Sequence, residues 1–398
     1  MTGARDFDVV VFGATGFTGK LVAEYIAHHG DKPRWAIAGR NKDKLDKLGL
    51  AVPVLVADAL DPQAVARVAR AAKVVCTTAG PFAQYGSELL GACADAGTHY
   101  CDLTGEVPWV RRMIDLHHER AQASGARIVN SCGFDSIPSD LGAWAAQQAF
   151  IARFGHPAST VTALYGETSG GFSGGTVASA MGVMAQADTM PEVRALLGNP
   201  YALDPDPHAD RPAAPDDRAP GWNGDLGMFT VPFVMAQYNT RIVRRGHALA
   251  GFPWGDDFVY REVMSTPNSP KGLAMAVGFT AGMAAISFAM KRPTLRAQLA
   301  KRAPKPGEGP SAEVRARGHW KVRLVASGGE HERLVYVVAD DHGDPGYAST
   351  AKMLGESALC LARDPLTAPG GLLTPSVAMG QSLVDRLRRA GLTFEPAG

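Results

Sequence analysis

A chain of 398 residues, 46% hydrophobic and 20% charged, has the material for two or three domains with a sizeable core. Forty Lys and Arg against 39 Asp and Glu leave a formal net charge of +1, so no global field points to nucleic acid or another polyanion as partner. The five cysteines, Cys76, Cys93, Cys101, Cys132 and Cys360, are odd in number and include no Cys-x-x-Cys pair. Reduced thiols of a cytoplasmic chain are expected, with no metal site, and no basic-plus-apolar leader suggests a signal peptide.

In chain order, the β-branched run Asp8–Phe12 opens into Gly13, Ala14, Thr15, Gly16, Phe17, Thr18 and Gly19, followed by the helical pattern Leu21–Ala27. This spacing predicts a dinucleotide-binding turn. Gly13 permits the tight turn, Gly16 lets backbone N–H groups approach a pyrophosphate, and Gly19 lets the helix pack close to the strand. A second strand, Arg34–Ala38, ends in Gly39-Arg40, where an acidic residue would accept from the ribose 2′-hydroxyl of NAD. Arg40, with Lys42 and Lys44 beyond it, instead suits a 2′-phosphate, and NADP(H) is the expected cofactor.

Val54–Ala57 is the third strand, and Asp58 at its end is placed to reach the adenine or to cap the next helix. Val74–Thr78 is the fourth, and Gly80-Pro81 follows it at the carboxyl edge of the sheet, where a cofactor crosses. Helix 84–96, strand His99–Asp102, helix 108–124 and strand Arg127–Asn130 complete a doubly wound parallel sheet. This Rossmann domain is expected to span 1–131.

Strands then predominate, and a second α+β domain with a largely antiparallel sheet is expected over 132–345. The loop Ser131–Asp140 runs into a helix at 140–150, and strands are predicted at Thr160–Tyr165 and Asp257–Val263. Glu313–Ala326 and Arg333–Ala339 suggest a long hairpin. Thr176 is a candidate helix cap after the glycine-rich Ser169–Gly175, either an anion-holding turn or a hinge. Residues 203–221, rich in Pro and Asp, are expected to form an exposed loop. Residues 346–398 are expected to add two helices, Ala351–Ala362 and Ser376–Ala390, that pack back on the first domain.

Gly272–Met290 is 19 residues without a charge, and six basic residues with no acid follow between Lys291 and Lys305. A buried helix, an interfacial helix against anionic lipid and a membrane span all fit this pattern. The expectation carried forward is peripheral membrane contact through 272–305.

Several of these stretches together resemble the saccharopine-dehydrogenase-like oxidoreductases, and within them the trans-acting enoyl reductase branch. They are Gly13–Gly19, Tyr100–Glu106, Cys132–Asp140, Ser173–Thr176, Asn239–Arg245 and Gly370–Pro375. The resemblance implies NADPH-linked reduction of a double bond in a lipid or polyketide acyl substrate, delivered by a polyketide synthase or acyl carrier. Imine or carbonyl reduction and a non-catalytic NADP(H)-binding regulator are the alternatives. A homo-oligomer is also expected.

Enoyl reduction needs hydride delivery to the β-carbon, a donor to the enolate oxygen and a proton for the α-carbon. The sequence holds no Tyr-x-x-x-Lys relay, since Tyr347 and Lys352 stand five apart. The candidates are Tyr100 as donor to the oxyanion, Ser136 to position the carbonyl, and Asp135 to orient the carboxamide or cap the following helix.

Overall fold

Alternation of β-branched strands with helices closed by left-handed glycines (Gly97, Gly125) builds the first half of the chain. The computed structural model describes residues 5–168, 174–212, 214, 216–217, 219–224, 227–266, 269–302 and 309–397. Its elements run β1 (Phe7–Phe12), α1 (Phe17–Ala27), β2 (Trp35–Gly39), α2 (Lys42–Asp46), β3 (Val54–Val56) and α3 (Pro62–Ala71). There follow β4 (Ala72–Thr77), α4 (Phe82–Tyr85), α5 (Ser87–Ala96), β5 (His99–Cys101), α6 (Val107–Ser124) and β6 (Arg127–Val129). These six strands are parallel in the order β6-β5-β4-β1-β2-β3, as in a doubly wound dinucleotide-binding sheet. Their alternate faces feed two cores: Val9, Val11 and Val74 on one side, Val10, Val75 and Tyr100 on the other.

The second half begins with α7 (Ile137–Phe154), longer at both ends than the expected 140–150, and continues with β7 (Thr160–Thr168), α8 (Gly174–Thr189) and α9 (Pro191–Gly198). Next are β8 (Gly221–Asn223), β9 (Met228–Pro232), α10 (Ala236–Leu249), β10 (Val259–Ser265), α11 (Pro270–Met290), α12 (Pro293–Arg302) and α13 (Ala312–Ala316). Then come β11 (Trp320–Ser327), β12 (Arg333–Asp340), a π-helical turn (Pro345–Ser349), α14 (Thr350–Arg363), β13 (Gly371–Leu373), α15 (Pro375–Arg389) and β14 (Thr393–Pro396). The second sheet has the order β14-β12-β11-β7-β10-β9-β8, antiparallel throughout except for the β7–β10 pair.

Three sequence expectations are corrected here. The hairpin does not begin at Glu313: the Ser311 hydroxyl accepts from Val314 N and starts the helix α13, so the strand opens only at Trp320. Residues 203–221 do not hang free. Leu203 and Asp204 are buried, Arg241 donates to Asp216 (2.9 Å), and Arg245 donates to the Leu203 carbonyl. The stretch after residue 345 serves both sheets: α14 packs on α1 and β4 and β13 extends the parallel sheet, while α15 packs on α7 and β14 edges the second sheet. Residues 169–173 and the Thr176 side chain lie outside the described residues; the helix that follows starts at Gly174.

Candidate active site

The glycine turn has the geometry its spacing predicts. Gly13 sits at φ +82°, and a Cβ on Gly19 would lie 2.2 Å from the Gly13 carbonyl oxygen. Only glycine lets α1 approach β1 this closely. Gly16 N donates to Gly13 O (3.0 Å) and Lys20 N to Gly16 O (2.9 Å), while no side chain caps the first turn of α1 and no acidic residue lies in it. The N–H groups of Phe17, Thr18 and Gly19 are thus left facing outward with the positive end of the helix dipole, where a pyrophosphate fits. Ala14 is buried behind the turn and Thr15 lies on its exposed side. The Phe17 ring is packed edge-on against Tyr347 (4.7 Å) with the Arg315 guanidinium over it, so elements of the second half clasp this turn.

Arg40 follows directly after β2, exposed and without an ion pair among the described residues. Its neighbours are engaged: Lys42 pairs with Asp46 (2.7 Å), and Asn41 caps α2 by accepting from Lys44 N. Asp58 lies exposed at the end of β3, where its carboxylate accepts from Leu60 N; the cap of α3 is Asp61, which accepts from Gln63 N and Ala64 N. The Gly80–Pro81 peptide is cis, at the carboxyl edge beside Gly13. A Cβ-free cradle, an uncapped helix end and an unpaired guanidinium at the 2′ position together fit NADP(H).

The nicotinamide side of the crevice is built by the loops after β4, β5 and β6. Asp102 is fully buried and accepts from Tyr100 Oη (2.9 Å), Asn130 Nδ2 (2.8 Å), Ser131 N (3.0 Å) and Thr104 N (3.1 Å). Burial nonetheless raises its carboxyl to about 6. Glu106 accepts from Phe82 N and Ala83 N (2.9 Å each) and from Ser179 Oγ (2.7 Å), so it caps α4 and fixes the turn that carries Gly80-Pro81. Ser131 is held at φ +66°, an unfavourable conformation for serine. Its hydroxyl donates to Thr104 O (2.9 Å) and meets the Tyr238 hydroxyl.

The three proposed catalytic residues part company here. Tyr100, expected to serve an oxyanion, is 0% exposed, and its hydroxyl is bound to Asp102; it braces the loop and offers no proton outward. Ser136 is equally buried and donates to Asn239 Oδ1 (3.1 Å), whose amide donates in turn to Glu262 Oε2 (3.0 Å). Tyr260 completes that chain at 2.8 Å, and burial raises Glu262 to about 7. Ser136 is therefore the first link of a buried polar chain that ties the loop to β10 and α10.

Asp135 differs from both. It is half-buried, its carboxylate has no hydrogen-bond partner among the described residues, and burial alone raises it to about 6. Phe134 beside it packs against Tyr165 and Trp320 of the second sheet, and its N–H donates to Thr350 Oγ1 (3.1 Å). The loop bearing Asp135 thus bridges the carboxyl edge of the parallel sheet to an aromatic wall, where Tyr165 stacks on Phe233 at 3.9 Å. Sequence reading missed Asn239, Tyr238 and Glu262 as members of this network. Glu106 stood in a noted motif, but Glu262 carried no signal before the strands were assembled. Of the Tyr347/Lys352 pair, the tyrosine faces Phe17 and the lysine is held by Asp340 (2.8 Å).

A family description, the saccharopine dehydrogenase NADP binding domain, matches residues 9–129. A trans-acting enoyl reductase of Mycobacterium tuberculosis is 40% identical over 413 residues, and one of Mycobacterium leprae 39% over 409. Each alignment covers 98% of this chain and 97% of the relative. Among solved structures, the L-glutamate-forming saccharopine dehydrogenase of Saccharomyces cerevisiae superposes with a TM-score of 0.53 over 98% of this chain and 99% of its own. At 13% identity that is a likeness of fold.

Proposed function

Because this chain belongs to the saccharopine-dehydrogenase-like oxidoreductases, in the family of the trans-acting enoyl reductases, we propose that it reduces the carbon–carbon double bond of an unsaturated acyl group carried by a lipid or a polyketide carrier. It is a nicotinamide-dependent oxidoreductase with NADP(H) as cofactor. Bound NADPH supplies the hydride that adds to the β-carbon; the protein has to supply a proton to the α-carbon and to hold the thioester in place.

Asp135 is the group we assign to the proton. The observation that carries this assignment is its isolation: a half-buried carboxyl without a hydrogen-bond partner among the described residues, raised to about 6, at the carboxyl edge of β6. Near pH 6 it is part protonated and regains its proton from solvent at its exposed edge. Asp102, Tyr100 and Ser131 shape the loop below it, and the Ser136–Asn239–Glu262 chain fixes the loop above.

The same surroundings favour an acyl over an amino-acid substrate. Burial is the only influence that shifts Asp135, and no cation among the described residues acts on it. Phe134 and Phe233, both half-buried, offer apolar surface to a methylene chain, with the buried Tyr165 ring packed against each. The five free, buried cysteines suit a cytoplasmic setting.

Loss of NADPH absorbance with enoyl thioesters, and not with ketoacyl thioesters or cyclic imines, is the expected result. Turnover of the imines alone would overturn the acyl reading, and silence with every substrate would move the protein to the class of NADP(H)-binding regulators.

A further inference from the structure

Helix α11 is apolar on every side, yet it lies on the outside of the molecule. Gly272–Met290 has a mean hydropathy of 1.8 with 6% of it buried, and Leu273, Met275, Val277, Ile286 and Phe288 are between 42% and 56% exposed. A helix without a polar face is stable only when something apolar covers it. Among its described residues only Gly272 and Ala276 are buried, and the helix meets the body of the protein through β9.

The charges around this helix identify the cover. Between Glu262 and Glu308 the sequence holds no acid and seven basic residues, in a chain whose total is +1. Lys291 and Arg292 are exposed at the carboxyl end of α11, and the Arg292 guanidinium lies 4.7 Å from the Phe288 ring. An apolar rod with exposed Lys291 and Arg292 at its end matches the acyl layer and headgroups of an anionic bilayer, since each basic residue near such a surface adds about 1 kcal/mol of attraction. At 21 residues α11 is roughly 31 Å long, enough to cross the hydrocarbon layer. Its two ends, however, are tied to one body. The first turn packs on β9, and α12 returns to α8, where Arg296 pairs with Asp188 (2.8 Å). A crossing helix would carry α12 to the opposite side.

We infer that α11, with Lys291 and Arg292 at its end, forms a docking surface that lies in one leaflet of an anionic membrane. One helix links this surface to the active site: α8, which Arg296 grips at Asp188, supplies Ser179 to Glu106, the residue that caps α4 beside the Gly80–Pro81 turn. The binding itself does not depend on the chemistry proposed above.

The test is flotation of the full-length protein with vesicles of phosphatidylcholine, with and without phosphatidylglycerol, at low and high salt. Binding to the anionic vesicles at low salt is expected, released by high salt. Neutralising Lys291 and Arg292 together should weaken it about 25-fold, at roughly fivefold per charge. Ile286→Glu with Phe288→Glu should abolish it, while NADPH titration shows that these variants remain folded. Protein left unbound at low salt would overturn the proposal. So would binding that survives alkaline wash, which means a span, or light scattering that shows a dimer split by Phe288→Glu without vesicle binding.

Discussion

Replacing Asp135 by Asn should remove activity without cost to stability, a combination that separates a catalytic acid from a structural one. The carboxyl rises from 3.8 to about 6, so folding disfavours its charged form. An acid whose folded pKa is raised destabilises the fold above that pKa, and the penalty fades as pH falls below the unfolded value. At pH 8 the full shift corresponds to about 3 kcal/mol, of which water at the exposed edge screens a part. Asparagine keeps the shape and carries no charge, so Tm at pH 8 should be unchanged or higher, and the Tm difference from wild type should vanish near pH 4. The same shift has a kinetic side. At pH 7 about one molecule in ten is protonated, against roughly one in a thousand for an unshifted aspartic acid. The rate should therefore fall tenfold per pH unit above about 6, and Asp135→Asn should lower kcat by about 10²–10⁴-fold while NADPH affinity stays the same. Thermal melts, direct cofactor titration and a pH–rate profile of the wild type and variant make the measurement. A variant that keeps kcat within threefold and the same alkaline limb would refute the assignment.

Three further outcomes are expected. Arg40→Ala should weaken NADPH about 10–100-fold and leave NADH nearly unchanged, because the lost contact is a charge-assisted one to the 2′-phosphate; titration with both cofactors decides it. Gly19→Ala puts a methyl 2.2 Å from the Gly13 carbonyl, so α1 must move off β1, and calorimetry should show cofactor binding lost along with about 1–3 kcal/mol of stability. Tyr100→Phe removes one of four donors to Asp102 and should cost about 1 kcal/mol in denaturant unfolding, with kcat reduced only severalfold. A loss of a thousandfold would restore Tyr100 as a proton donor.

The dinucleotide half was legible because its signals are local. A glycine turn between a strand and a helix needs no tertiary context, and neither does the period of six alternating strands and helices. Three short strands, β8, β13 and β14, were not legible: unlike the equally short β3, β5 and β6 they stand outside the regular alternation of the first half, and pairing with distant partners defines them. Residues 312–316 were misread because Val314 between charged neighbours alternates like a strand, whereas the Ser311 cap decides for helix. The loop 203–221 has the composition of a free segment, and Arg241 and Arg245, which hold it from α10, lie 25 and 42 residues from their partners. At the site, residue type alone could not separate Tyr100 and Ser136 from Asp135. Tyr100 lies in β5 and Ser136 and Asp135 on the loop after β6, all toward the carboxyl edge, and only assembly shows which polar group is already bound.

Hydride transfer from stereospecifically deuterated NADPH to an enoyl thioester tests the central claim most directly. Mass spectrometry and NMR of the saturated product should place one deuterium on the β-carbon and a solvent-derived hydrogen on the α-carbon. In heavy water Asp135→Asn should slow turnover without moving either label. Deuterium on a carbonyl or imine carbon, with the carbon–carbon double bond intact, would contradict the account.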